Sequence, residues 1–241
     1  MYHSVYFGDM NTFSDWHLVP DGRPVIVLPE PKKTVVDIPG GQGSLDLSEV
    51  LTNYPTYQNR SGSIGFHVLN GYGEWQERYQ EIANYLHGQT NTMILEDDPD
   101  YYYQGRFTAT WTSPNDGTWS NVEIGYEVEP FKYSIDLETV PFTTVTDDVF
   151  ELTLDISPLS MPIVPEFIID PMNATSLAIT LENPEIGLET DDYVETIGVE
   201  GDYWLYSLPI SNMSGSNVCK FTITTDGEAC GGILRYRRAV L

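Results

Sequence analysis

Apolar and polar residues alternate along most of this chain. SIGFHVLN (Ser63 to Asn70), VEIGYEVEP (Val122 to Pro130), FELTLDI (Phe150 to Ile156), SLAITLEN (Ser176 to Asn183) and VCKFTITT (Val218 to Thr225) place apolar side chains at every second position. That period predicts half-buried β-strands with one face toward a core. Asp226-Gly227 follows the last of these runs and predicts a tight hairpin turn into GGILRYRR. One segment changes period. In GEWQERYQEIANYLHG the residues Trp75, Tyr79, Ile82 and Leu86 recur at helical spacing, Glu74 and Glu77 sit in the first turn, and Gly88 follows as a C-terminal cap. The pattern predicts a single amphipathic helix of about three to four turns lying on a sheet, with Trp75 and Tyr79 as core anchors.

Proline and glycine punctuate the first 45 residues: Pro20, Pro24, Pro29, Pro31 and Pro39, then Gly40, Gly41 and Gly43. Proline is excluded from central strands, so these positions mark edges, bends and an extended loop or arm. PGGQGSLD lacks the Lys-Ser/Thr ending of a phosphate loop and reads as a connecting or oligomer-facing loop. Between Tyr133 and Phe150 the pattern lapses into the polar SIDLETVPFTTVTDD, which predicts a boundary near residue 138 between domains 1–138 and 139–241. The second half carries short strands and Pro- and Gly-rich turns with no helical period, and so predicts a β-sandwich. The fold class expected is mainly β.

Composition narrows the functional classes. The 241 residues are 41% hydrophobic, with sixteen tyrosines, nine phenylalanines and five tryptophans, as expected of a folded domain rich in strand formers. The net charge of −25 comes from 36 acids and 11 bases, and both halves share it. Without a cluster of Lys and Arg, no surface is suited to gripping nucleic acid phosphates. MYHSVYFGDM has neither a basic start nor an apolar run, so no signal peptide is expected. No stretch approaches the roughly 18 apolar residues of a membrane span. Two cysteines, Cys219 and Cys230, make no disulfide framework. These features point to synthesis in a reducing cytosol, where the sequons at Asn59, Asn173 and Asn212 carry no meaning.

The candidate chemistry is sparse. LEDDPDYYYQGRF (Leu95 to Phe107) holds Glu96, Asp97, Asp98 and Asp100 ahead of three tyrosines. A glycosidase needs two carboxylates projecting from separate rigid elements, and adjacent acids on one loop point apart. Pro99 interrupts the ligand alternation of a calcium loop. Asp98-Pro99-Asp100 reads instead as turn chemistry, followed by a strand in which Tyr102 faces away from Tyr101 and Tyr103. The run ETDDYVE (Glu189 to Glu195) reads as a solvated loop between strands. His3, His17, His67 and His87 are isolated and form no metal constellation. Cys219 and Cys230 lie on the two arms of the expected Asp226-Gly227 hairpin and read as buried free thiols. There is no G-x-S-x-G elbow and no dinucleotide fingerprint. No catalytic, cofactor-binding or metal-ligating residue is predicted, and the chain is not expected to be an enzyme.

The motifs gain meaning in succession: TFSDWHLVP, RPVIVLPEPKKTVVDIPGGQGSLDLSE, YQNRSGSIGFHV, the helix WQERYQEIANYLHG, the hairpin MILEDDPDYYYQGRF and IGYEVEPFKY. This order, over residues 1–138, resembles the N-terminal domain of the distal tail (Dit) proteins of long-tailed phages. The resemblance implies a structural virion protein forming a hexameric ring at the end of the tail tube, joining the tube to a tail-tip or baseplate protein. It implies an N-terminal β-sandwich with one α-helix and a projecting hairpin that builds the ring. It further implies an outward-facing C-terminal β-sandwich resembling a galectin or carbohydrate-binding module, matched here only by the closing GGILRYRRAVL. Expected partners are further copies of the chain, the tube protein and the tip protein, with DNA passing through the lumen without specific binding and no membrane contact. The protein would be made in the host cytoplasm and reside in the virion. A carbohydrate-binding adhesin is the alternative, on Tyr203, Trp204 and Tyr206, and a glycoside hydrolase is a distant third.

Overall fold

The computed structural model describes residues 3–50, 54–69, 75–115, 119–143, 149–155, 159, 161–170, 172, 177–183, 188–189, 193–195, 201–204, 210, 218–225 and 228–241. They form a mainly β protein with one helix among the described residues. The chain divides into two compact units, Met1–Tyr133 with Leu241, and Ser134–Val240.

The first unit contains β1 (Val5–Phe7), β2 (Met10–Asn11), β3 (Leu18–Pro20), β4 (Val35–Asp37), β5 (Ser44–Asp46), β6 (Arg60–Val68), α1 (Trp75–Leu86), β7 (Thr90–Leu95), β8 (Asp98–Asn115), β9 (Trp119–Val128) and β10 (Lys132–Ser134). One antiparallel sheet runs in the order β2-β1-β7-β8-β9-β6-β3, with β10 on β8, while β4 and β5 form a separate pair. Alternation explains its faces. Ile64 lies opposite Ile124, and Ile124 opposite Ala109; Phe66 lies opposite Val122. These side chains join Phe7, Leu18 and Phe107 in a single core, while Ser63 and Thr108 on the reverse face are exposed.

The sheet curls where β8 changes neighbours. That strand pairs with β7 as far as Arg106 and with β9 from Gly105 onward. A Cβ on Gly105 would sit 2.2 Å from the Glu127 carbonyl oxygen, so the close approach of the two backbones requires glycine.

The helical stripe lands on this core. Ile82 and Leu86 are fully buried, and Tyr79 and Tyr85 pack at the core's edge. Tyr79 meets Trp111 edge-on at 5.0 Å, and Tyr85 meets Trp16 at 5.7 Å. Gly88, at φ +75°, takes the left-handed position that ends a helix. Glu74 and the side chain of Trp75 lie outside the described residues.

The second unit holds β11 (Glu138–Thr143), β12 (Val149–Asp155), β13 (Glu166–Asp170), β14 (Leu177–Asn183), β15 (Leu188–Glu189), β16 (Tyr193–Glu195), β17 (Gly201–Trp204), β18 (Val218–Thr225), β19 (Gly231–Tyr236) and β20 (Ala239–Val240). Apart from β20, these strands form two sheets, β11-β19-β13-β17 and β12-β18-β14-β15, with β16 also on β14. Phe167 of the first sheet meets Phe221 of the second edge-on at 5.4 Å, and Phe142 flanks Phe167 at 5.8 Å. With Ile169, Ile179, Ile223 and Leu234 also buried, the apolar face of each sheet closes on the other, as in a sandwich. Pro141 sits in β11, an edge strand, where its missing amide costs no ladder bond. Glu189 and Tyr193–Glu195 of the acidic run belong to strands paired with β14, while residues 190–192 lie outside the described residues.

The expected Asp226-Gly227 hairpin does not form. β18 pairs with β12 and β14, whereas β19 pairs with β11 and β13. The segment between them therefore crosses from one sheet to the other, although residues 226–227 themselves lie outside the described residues. A turn dipeptide bends the chain, and burial of two opposed apolar faces decides which strands pair. The two ends of this unit meet: the Ser134 amide donates to the Arg238 carbonyl at 2.8 Å, and the Arg238 guanidinium binds Glu138 at 2.7 Å.

Candidate functional site

The acid-rich hairpin is real, but its turn starts two residues earlier than expected, at Glu96 and not at Asp98. Leu95 pairs with Asp98, which leaves Glu96 and Asp97 as the two turn residues and puts Pro99 and Asp100 inside β8. Proline is tolerated near the start of a strand, where its missing amide costs least. The carboxylates are taken up locally. The Glu96 carboxylate accepts the Ser4 amide at 2.7 Å and the Ser4 hydroxyl at 3.1 Å. Asp97 holds His3 Nδ1 at 2.8 Å and Arg23 Nε at 2.7 Å. Asp98 pairs with Lys132. Burial pushes the Asp97 carboxyl up, but the hydrogen bonds and charges of His3 and Arg23 outweigh that and hold it below the usual carboxylate value. The cluster ties the amino-terminal segment and Arg23 to the hairpin.

The three tyrosines also pack within the chain. Tyr101 lies under the Lys132 ammonium at 4.7 Å, Tyr103 under the Arg60 guanidinium at 5.3 Å, and Tyr102 against Tyr133 at 5.8 Å. The Tyr133 hydroxyl donates to Glu129 at 2.7 Å. Burial and this carboxylate push the Tyr133 phenol far above its ordinary value.

The histidines stay apart. His67 bonds Asp21 and Asn121 through opposite ring nitrogens, and His87 Nδ1 accepts the Ala109 amide at 3.3 Å. Among the described residues no three His, Cys, Asp or Glu side chains converge as metal ligands, and no helix is long and apolar enough to cross a membrane. Cys219 and Cys230 are buried free thiols. Burial pushes them up to about 12 and about 11, with the Asp170 charge adding to the second. Of the sugar-platform candidates, Tyr203 and Trp204 lie in β17 with their side chains outside the described residues, as is all of Tyr206.

The surface that lacks internal use is the arm. From Asp21 to Gln58 the chain leaves the sheet and returns. Its legs are joined by Gln58 N to Glu30 O and Lys32 N to Thr56 O, both 2.8 Å, and farther out by Leu47 N to Thr34 O at 2.8 Å. Beyond these lies the β4–β5 hairpin, registered Val35 to Asp46, Val36 to Leu45 and Asp37 to Ser44. Its loop turns on Gly40 and Gly43 at φ +73° and +83°, which explains the glycine-rich PGGQG. Val25 and Leu28 are 73% and 72% exposed, and Val27, Val35, Val36, Ile38, Leu45 and Val50 are exposed with them. A two-stranded hairpin that buries nothing is marginal in water, and a concentration of exposed apolar side chains marks an interaction site.

Arg60 holds the root of this arm, and it escaped the pattern-based reading. It is 2% exposed. Nε donates to the Pro130 carbonyl at 2.8 Å, and Nη1 to the Val27 carbonyl at 3.3 Å. The signal was present: in RSGSIGFHV, Arg60 falls on the same alternate positions as Ile64, Phe66 and Val68. Ile26 and Pro29, on either side of Val27 in sequence, are buried, and Tyr57 on the returning leg meets Phe131 edge-on at 5.9 Å.

Comparison with known proteins gives an informative likeness of fold. No family model matches the sequence, and no curated protein does. Among solved structures, the crystal structure of the SPP1 Dit protein (gp 19.1), described as a paradigm of the hub adsorption apparatus in phages infecting Gram-positive bacteria, is similar over 100% of both chains. The TM-score is 0.56 at 14% identity, a likeness of fold. A second similar structure, from infectious bursal disease virus strain Gx, covers 86% of this chain and 55% of its own at 10% identity; its TM-score of 0.22 carries no argument.

Proposed function

We propose that this protein is a structural component of a phage tail, assembling through its first unit into a closed ring of six copies at the distal end of the tail tube. The observation that carries this reading is the exposed apolar arm, on a chain whose whole fold is shared with a phage hub protein. Closed cyclic assemblies join two different faces of one subunit, and an arm reaching a neighbour supplies such a heterologous contact. The ring connects the tube protein to a tip or baseplate protein, resides in the virion and has no catalytic role. With −25 per chain, its bore is net acidic, so DNA phosphates pass without adhering.

The second unit folds by itself and faces outward, dispensable for ring closure. The joining of its two ends at Ser134 and Arg238 supports this reading, because a unit that begins and ends at one place is readily removed. Electron microscopy of the purified chain, and of a chain lacking residues 134–240, tests both statements. Rings with a central bore are expected from each. Absence of rings from both chains at every concentration, even with tube and tip proteins added, would overturn the assembly; loss from the shortened chain alone would overturn the division of labour.

A further inference from the structure

Arg60 is an expensive residue for its position. Burying a guanidinium carries a large desolvation penalty unless charge and hydrogen bonds answer it. No carboxylate among the described residues pairs with Arg60, and Nη2 has no hydrogen-bond partner among them. An apolar side chain of similar volume would fill the space without that penalty. What it could not do is donate to two separate carbonyls. The planar fork reaches Val27 on the outgoing leg of the arm and Pro130 at the end of the sheet, while its face rests on Tyr103 of β8. Val27 lies between β3 and β4, and Pro130 between β9 and β10, so strand pairing fixes neither.

We propose that Arg60 is the positioning residue of the arm: by joining the Val27 and Pro130 carbonyls over the Tyr103 ring, it fixes the direction in which the arm leaves the sheet. This deepens the assembly reading above, on which its consequence for ring closure rests. Ile26, Pro29 and the Tyr57–Phe131 contact hold the legs against the core by apolar packing, which tolerates sliding and rotation. Directed hydrogen bonds do not. An arm that must meet a neighbour in one orientation gains affinity when that orientation is set in advance.

The test is a distance distribution between spin labels on Gln42→Cys, at the arm tip, and Thr110→Cys, on the exposed face of β8, in the full chain below its assembly concentration. Cys219 and Cys230 are buried with raised thiol pKa values and escape labelling at neutral pH. The chain with native Arg60 is expected to give one narrow distribution. Arg60→Met should broaden it at least about twofold through the freed backbone of the root, while unfolding stability is unchanged or higher. Arg60→Lys, with one point donor, should fall between. Equal widths for native and Arg60→Met chains would overturn the proposal, as would broadening in Arg60→Met matched by loss of the folded sheet in circular dichroism. This readout is independent of ring formation. Broadening together with unaltered ring assembly would leave Arg60 as the pivot and count against the arm as the ring's grip.

Discussion

Two hairpins of the first unit are built on opposite terms. The β7–β8 hairpin looks like chemistry, with four acids and three tyrosines around its turn. Its turn acids hold Ser4, His3 and Arg23, and its tyrosines rest on Lys132, Tyr133 and Arg60. The β4–β5 hairpin looks like filler, made of valine, proline and glycine, yet every residue of both strands is exposed. Titratable side chains satisfied inside the chain have little left to offer a partner. Exposed apolar side chains held out on an arm have nothing else to do. The proposed assembly contact therefore lies on the chemically bland hairpin.

The largest effect should come from Val36→Asp combined with Leu45→Asp. These residues are direct cross-strand partners, and like charges opposite each other both oppose pairing and repel an apolar partner. The assembly midpoint measured by sedimentation should rise at least about 100-fold, or about 2.7 kcal/mol. Because the arm is outside the core, urea unfolding of the first unit should move by less than about 0.5 kcal/mol.

Glu96→Ala should show the reverse profile. It leaves the Ser4 amide and hydroxyl without their charged acceptor, so urea unfolding should lose about 1.5–3 kcal/mol, the range for hydrogen bonds to charged groups. The assembly midpoint of the folded chain should stay where it was. A shift in assembly as large as that of the arm variant would erase the contrast between the hairpins.

The two hairpins were also unequally legible in sequence. Period-two alternation announced β6, β9, β12, β14 and β18, and the helical stripe announced α1, because each follows from one face meeting one core. Partner choice was not legible. Asp226-Gly227 carries the local chemistry of a hairpin, yet the strands on either side of it, β18 and β19, pair in different sheets, since pairing answers to the whole core. Proline favours turns, so Asp98-Pro99-Asp100 predicts the turn there, yet the Leu95–Asp98 pair closes it earlier, at Glu96-Asp97. The arm itself was legible as a proline- and glycine-marked excursion. Its root was not: nothing local shows that Arg60 would donate to Val27, thirty-three residues away in the chain.

The smallest effect belongs to Asp97→Asn. Arg23 is 68% exposed, and an ion pair this open to water contributes little to stability. Its pH signature is more specific than its size. The folded carboxyl lies below its unfolded value of about 3.9, so its stabilisation is complete above that pH and disappears as pH falls through the lower folded value. Urea unfolding compared at about pH 5 and about pH 3 should therefore show the native chain losing slightly more stability than Asp97→Asn. Equal losses would mean that the His3–Asp97–Arg23 contact is not maintained in solution.

The central claim, that the arm is the element by which copies of this chain join, is tested most directly by native mass spectrometry of two proteins at micromolar concentration: the full chain, and a chain in which Val35–Asp46 is replaced by a short Gly-Ser turn. The full chain should appear at six times its 27.2 kDa mass, and the arm-deleted chain, still folded, at the mass of a single copy. A full chain found only as the monomer, or an arm-deleted chain that still forms the sixfold species, would contradict it.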